Sequence, residues 1–209
     1  MELIRAFIAI DVSQPFKDAA YGVADQLTCI LTRNTLRFGN SNATHITLNF
    51  IGEIDKDACP AVYNAMIRSA SSVCPFELSI GQLGGFPSNE MPKIVWVALD
   101  GESDALGTLQ RVLSGELESL GIPRQASKFK SHVTLRRVKK TLSASGRRLV
   151  GEAISSVSVD SKEGLSVSEI SLFRSTLSDK GAYYSKLLSV ELGSRVCLQS
   201  DVSERLWGV

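Results

Sequence analysis

Histidine is nearly absent from this chain: its 209 residues include two, His45 and His132. Cysteine is almost as scarce. Cys29, Cys59, Cys74 and Cys197 lie far apart, form no C-x-x-C pair and have no histidine beside them. That spacing argues against a structural zinc site and leaves the thiols as small buried hydrophobes. An excess of either charge is also missing, since 23 Lys and Arg against 22 Asp and Glu leave a net charge of +1. No apolar run approaches the roughly 18 to 20 residues of a membrane span. The longest near the start, Ala6 to Ile10, is cut at Asp11, short of the ~7 to 15 apolar residues of a secretory signal with its cleavage site. These absences predict a protein of the cytoplasm with no membrane anchor. What remains, 44% hydrophobic residues in 22.6 kDa, suffices for a real core and excludes a disordered chain.

Strand-like apolar runs fall at about 3–12, 44–52, 76–84, 93–100, 131–138, 165–173 and 183–192. Helical periodicity fits 15–32, 57–71, 103–120 and 143–154. The first helix has Pro15 near its start and a stripe of Phe16, Ala19, Ala20, Val23, Leu27, Ile30 and Leu31. The third carries Leu106, Leu109, Val112, Leu113, Leu117 and Leu120 before Gly121 and Pro123 end it. Both read as covers on sheets.

The order of elements repeats. A strand ending at Asp11 leads through a helix to His45, and one ending at Asp100 leads through a helix to His132, intervals of 34 and 32 residues. The two halves are offset by about 87 to 89 residues throughout, the pattern of a duplicated unit. The expected fold is therefore α+β and bilobal, two pseudo-symmetric sheet-plus-helix halves around a central cleft. Residues 1–209 are expected to form a single domain, with lobe-like repeats at about 1–90 and 91–192. A short tail at 193–209 follows, with Leu206 and Trp207 as candidate docking residues. Gly84 to Pro92 reads as a turn-rich loop rather than a linker.

Each histidine opens the same tetrapeptide pattern, His45-Ile46-Thr47-Leu48 and His132-Val133-Thr134-Leu135. Strand alternation places His45, Thr47 and Asn49 on one face and Ile46, Leu48 and Phe50 on the other; it likewise groups His132, Thr134 and Arg136. A single such pair is ordinarily half-exposed sheet surface. Two in equivalent positions of a repeat describe a cleft floor with two imidazoles, one able to accept a proton while the other donates one. That arrangement suits displacement at phosphorus without a metal, one ring activating the nucleophile and the other protonating the departing oxygen, with the hydroxyls of Thr47 and Thr134 on the nonbridging oxygens. A metal reading fails on ligand number, because no acidic residue shares a strand face with either histidine. No cofactor is implied.

Local charge departs from the near-neutral total. From Arg124 to Arg148 there are nine basic residues and no Asp or Glu, a footprint for a polyanion around His132 or else a solvated positive face. Lys130, Arg136 and Arg137 are the candidate phosphate contacts, and Phe129 is a candidate stacking residue or a core aromatic. Arg136 shares the parity of His132. Arg137 reaches the cleft if a bulge ends the strand and is structural if none does. Trp96 and Phe86 are assigned to the core.

These segments together resemble the 2H phosphoesterase superfamily and, within it, the RNA 2',3'-cyclic phosphodiesterase family, also called the 2'-5' RNA ligase family. The resemblance runs from Phe7-Ile8-Ala9-Ile10-Asp11 through His45-Ile46-Thr47-Leu48-Asn49-Phe50-Ile51-Gly52-Glu53, Gly85-Phe86-Pro87 and Pro92-Lys93-Ile94-Val95-Trp96. It continues through Phe129-Lys130-Ser131-His132-Val133-Thr134-Leu135-Arg136-Arg137 to Ile170-Ser171-Leu172-Phe173-Arg174-Ser175 and Gly181-Ala182-Tyr183-Tyr184. Two positions depart from the family pattern: Ser131 stands where proline is common, and Phe38 where tryptophan is. The resemblance implies metal-independent hydrolysis of a 2',3'-cyclic phosphate at an RNA end to a 2'-phosphomonoester, with 2'-5' ligation as the reverse. It makes His45 the proton donor and His132 the proton acceptor, an order that periodicity does not supply. It also implies an RNA partner and a monomer. Competing readings are another 2H branch acting on a small cyclic nucleotide or a cyclic ADP-ribose phosphate, and a noncatalytic module that grips RNA ends.

Overall fold

Leu3–Asp11 forms the first strand, β1, and its near-continuous apolar run is buried on both faces. Ile4, Ala6, Ile8 and Ile10 join the main core, while Phe7 and Ala9 pack with Phe173 in a small second cluster. Ser13 then caps helix α1 (Gln14–Ile30), its hydroxyl accepting from the Phe16 amide, with Pro15 in the first turn. The remaining elements are β2 (Leu36–Phe38), β3 (His45–Asp55), a 3-10 turn at Lys56–Ala58, α2 (Cys59–Ala70), β4 (Phe76–Phe86), β5 (Ile94–Gly101), α3 (Ser103–Glu118), β6 (His132–Val138), α4 (Ala144–Ser156), β7 (Gly164–Val167), β8 (Glu169–Ser178) and β9 (Gly181–Glu191). The computed structural model describes residues 2–32, 35–38, 44–125, 128–161, 163–178 and 181–193. Cys197 and the tail beyond 193, with Leu206 and Trp207, lie outside the described residues.

Two antiparallel sheets result, in the strand orders β3-β1-β8-β9 and β2-β6-β5-β4-β7. Helices α2 and α3 pack on the first; α1 and α4 pack on the second. The fold is α+β and bilobal, and the three strands β3-β1-β8 match β6-β5-β4 at a constant offset of 87 residues: Thr47 pairs with Ala9 as Thr134 pairs with Trp96.

The sheets do not follow the repeat boundary near residue 90. Strand β4, from the first repeat, completes the second sheet, and β8 from the second repeat completes the first. The segment expected as one strand at 165–173 is two, because the chain changes sheets at Ser168: β7 pairs with β4, β8 with β1. Strand β2, three residues long, escapes a period-two reading altogether. Of the cysteines, Cys59 alone among the described residues is buried; Cys29 and Cys74, expected to be buried, are exposed. No helix among the described residues is long and apolar enough to cross a membrane.

Gly84 faces Trp96 across the β4–β5 ladder, and a Cβ there would overlap the indole ring. Gly84→Ala is expected to cost about 1–3 kcal/mol through overpacking, read as a lower midpoint in urea unfolding; an unchanged midpoint contradicts this packing.

Candidate active site

Both motif strands break their alternation at the same point. In β3, Ile8 pairs with Asn49 but Ala9 with Thr47, so Leu48 is an extra residue. In β6, Trp96 pairs with Thr134 but Val95 with Arg136, so Leu135 is the extra one. Each is a β-bulge, and each reverses the faces of the residues just after it, Asn49 and Phe50 in β3 and Arg136 and Arg137 in β6. Burial runs half-buried, buried, half-buried, buried, buried, exposed over His45–Phe50 and again over His132–Arg137. Asn49 and Arg136 therefore turn inward, contrary to the simple alternation, while Phe50 and Arg137 turn outward. Asn49 donates through Nδ2 to Ser114 Oγ on α3 at 2.8 Å. Arg136 donates through Nη2 to Asp25 Oδ1 on α1 at 2.6 Å. The two inward residues thus tie the two motif strands to the helices behind them in the same way.

The strands β3 and β6 meet across the two sheets, and one open cleft of about 680 Å³ takes in His45, Thr47, His132 and Thr134 together. Phe50 and Arg137 line it at the bulge positions, joined by Arg5, Arg37, Arg136, Tyr21, Thr44, Leu177 and Tyr184. Four arginines and no carboxylate stand among its lining residues, so its electrostatics favour an anion. The wall from the first sheet carries Phe7, Phe50 and Tyr184 together with Arg5, and the opposite wall carries Arg37, Arg136 and Arg137.

The His132 ring sits edge-on to Phe86 at 4.9 Å and to Trp96 at 6.0 Å between centroids. Trp96 is buried as expected, but Phe86 is only half-buried and its ring forms part of the wall behind the imidazole. His132 Nδ1 lies 2.6 Å from the Lys130 carbonyl oxygen. A carbonyl can only accept, so Nδ1 carries the proton and Nε2 keeps its lone pair. Burial pushes the His132 pKa below the usual 6.5, with the nearby Lys130 ammonium adding to the effect and the Lys130 carbonyl opposing it. The neutral imidazole therefore persists to lower pH than usual.

His45 occupies a different setting. Its ring lies 4.7 Å from Phe7, 5.2 Å from Tyr184 in an edge-on contact and 6.3 Å from Phe173. Phe7 and Phe173 in turn stack at 5.3 Å. Phe173 is the 87-residue counterpart of Phe86, so each histidine backs onto the equivalent phenylalanine two strands away in its own sheet.

The other sequence candidates are placed as follows. Lys130 is exposed, with Nζ 4.1 Å above the Trp96 ring. Phe129 packs against the main core and is not among the cleft's lining residues. Within the basic run, Arg124 pairs with Glu118 and Arg147 bonds the carbonyls of Pro92, Lys139 and Lys140, so part of that charge serves the fold. Arg5, Arg37, Phe50 and Tyr184 escaped the sequence reading. The repeat offset alone could have found Phe50, as the counterpart of Arg137. Ser131, where the resemblance expects proline, continues the ladder by accepting from the Leu99 amide at 3.4 Å. Among the described residues no group of three or more His, Cys, Asp or Glu is placed to hold a metal ion.

Comparison with known proteins agrees with the duplicated geometry. The family model described as LigT like Phosphoesterase matches twice, at residues 10–96 and 97–184. The chain is 29% identical over 185 residues to an RNA 2',3'-cyclic phosphodiesterase of Methanothermobacter thermautotrophicus, covering 88% of this chain and 96% of that one. It is 31% identical over 152 residues to one of Aeropyrum pernix, covering 72% and 82%. The crystal structure of E. coli LigT complexed with 3'-AMP superposes with a TM-score of 0.71 at 19% identity, covering 91% of this chain and 99% of that one.

A proton titration followed by imidazole NMR, simplified by there being two histidines, is expected to place the His132 midpoint below 6.5. A midpoint above that value contradicts the burial and tautomer described.

Proposed function

Because the chain belongs to the LigT-like phosphoesterase family of the 2H superfamily, we propose that it hydrolyses the 2',3'-cyclic phosphate at an RNA end to a 2'-phosphomonoester. The observation that most strongly supports this reading is the presence of both H-x-T pairs in one cleft whose lining holds four arginines and no carboxylate. His132, neutral and with Nε2 basic, removes a proton from water as its oxygen attacks phosphorus. The bond from phosphorus to the ribose 3' oxygen breaks, its electron pair leaves on that oxygen, and protonated His45 supplies the proton. Thr47 and Thr134 donate hydrogen bonds to the nonbridging oxygens, whose charge is redistributed in the transition state. The step leaves His132 protonated and His45 neutral, so proton exchange with solvent restores both rings before the next turnover.

The outward bulge residues set the orientation of the substrate. Arg137 and Arg37, on the His132 side, hold phosphate oxygens. Phe50 and Tyr184, both exposed beside His45, offer faces for a base. Arg136, engaged with Asp25, is part of the frame rather than a free phosphate clamp. Since each sheet takes strands from both repeats, the two halves act as one domain. With a 5'-hydroxyl in place of water as the nucleophile, the same base and acid join a cyclic end to a 5'-hydroxyl end in a 2'-5' linkage, the 3' oxygen again leaving with the proton from His45.

His45→Ala and His132→Ala are each expected to lower turnover of a 2',3'-cyclic oligonucleotide at least ~100-fold with the fold intact, measured by phosphate release after phosphatase treatment and by circular dichroism. Wild-type turnover in either folded variant removes that histidine from the mechanism. The phosphate is expected on the 2' oxygen, and EDTA is expected to leave the rate unchanged. Binding of the oligonucleotide without turnover favours an RNA-end binding module instead, and faster turnover of a cyclic mononucleotide favours another 2H branch.

A further inference from the structure

Arg136 is 4% exposed, and two residues one turn apart on α1 hold it. Asp25 accepts from Nη2 at 2.6 Å, and the Tyr21 ring centroid lies 4.5 Å from the guanidinium carbon. The Tyr21 hydroxyl then meets Thr44 Oγ1 at 2.8 Å. Thr44 is itself buried and directly precedes His45. Helix α1 packs on the second sheet, through β4 and through β6, the strand that begins at His132. Its Tyr21 nevertheless reaches Thr44, the residue just before β3 of the first sheet. Contacts therefore run without a gap from Arg136, two residues beyond Thr134, across the cleft to the residue before His45.

The other repeat makes a local contact at the matching place. Gln110, the counterpart of Tyr21 at an offset of 89, donates to Ser114 Oγ at 2.8 Å and lies 3.5 Å from the Leu48 carbonyl oxygen. Both partners are on its own side of the cleft. The exchange of glutamine for tyrosine gives one copy of the repeat the length to span the gap.

An acid and a base that act on one phosphorus must keep a fixed separation, and misplacement by ~1 Å costs up to ~100-fold in rate. We propose that the Tyr21–Thr44 hydrogen bond, seated by Arg136 on the Tyr21 ring, is the strut that sets the separation of His45 from His132. Tyr21, Thr44 and Arg136 are then positioning residues. The kinetic part of this inference rests on the cyclic phosphodiesterase reading.

Tyr21→Phe removes the hydroxyl and keeps the ring under Arg136. With a 2',3'-cyclic oligonucleotide, kcat is expected to fall ~10-fold while KM and the thermal midpoint stay at wild-type values. Thr44→Val is expected to match it, Thr44→Ser to restore the rate, and the Tyr21→Phe/Thr44→Val double variant to be no slower than either single one. In the free protein, Tyr21→Phe is expected to shift the His45 imidazole NMR signals. Wild-type kcat in Tyr21→Phe, a Thr44→Ser variant as slow as Thr44→Val, or a rise in KM at unchanged kcat overturns the strut. If the wild-type protein turns over no cyclic oligonucleotide, the functional reading fails by itself; the NMR measurement then decides the strut, which unshifted His45 signals overturn.

Discussion

A β-strand alternates its side chains, so three consecutive positions of like parity share one fate. The motif strands need something else: histidine and threonine facing the cleft, then an anchor facing the helix behind, then another residue facing the cleft. A single extra residue, Leu48 in β3 and Leu135 in β6, satisfies this demand. The bulge sends Asn49 and Arg136 inward to Ser114 and Asp25, and Phe50 and Arg137 outward. The placement of Asn49, Phe50, Arg136 and Arg137 around the cleft depends on that reversal of parity.

The duplication then works through its departures from symmetry. Equivalent backbone positions carry Phe50 on one side and Arg137 on the other, so a symmetric frame sets Phe7, Phe50, Tyr184 and Arg5 opposite Arg37, Arg136 and Arg137. The same holds behind the cleft, where asparagine and serine form a neutral anchor and arginine and aspartate a charged one. Exchange of β4 and β8 between the sheets binds the two halves, and the equivalent Phe173 and Phe86 accompany them to the opposite histidines. Burial of His132 and its bond to the Lys130 carbonyl give that ring a defined tautomer and a depressed pKa, whereas His45 rests among Phe7, Phe173 and Tyr184.

Most of the scaffold was legible in the sequence, because long periodic segments such as α1 and α3 and the duplicated H-x-T pattern are local signals. What escaped was set by pairing between distant segments. Strand β2 is too short to show a period, and the division of 165–173 into β7 and β8 follows from their separate partners, β4 and β1. The faces of Asn49, Arg136 and Arg137 depended on a register shift that appears only when β3 meets β1 and β6 meets β5. Arg5 and Arg37 carry no motif; topology brings them to the cleft. Phe129, adjacent to the motif in sequence, packs against the core instead.

Two rings from opposite sheets sharing a single phosphoryl group are the central claim, and a crystal structure with a nucleoside 2'-monophosphate bound is the most direct test. The predicted result is one phosphoryl group within hydrogen-bond distance of both His45 and His132, with a threonine hydroxyl on each side. A phosphoryl group held by one histidine alone, or seated elsewhere in the molecule, contradicts it.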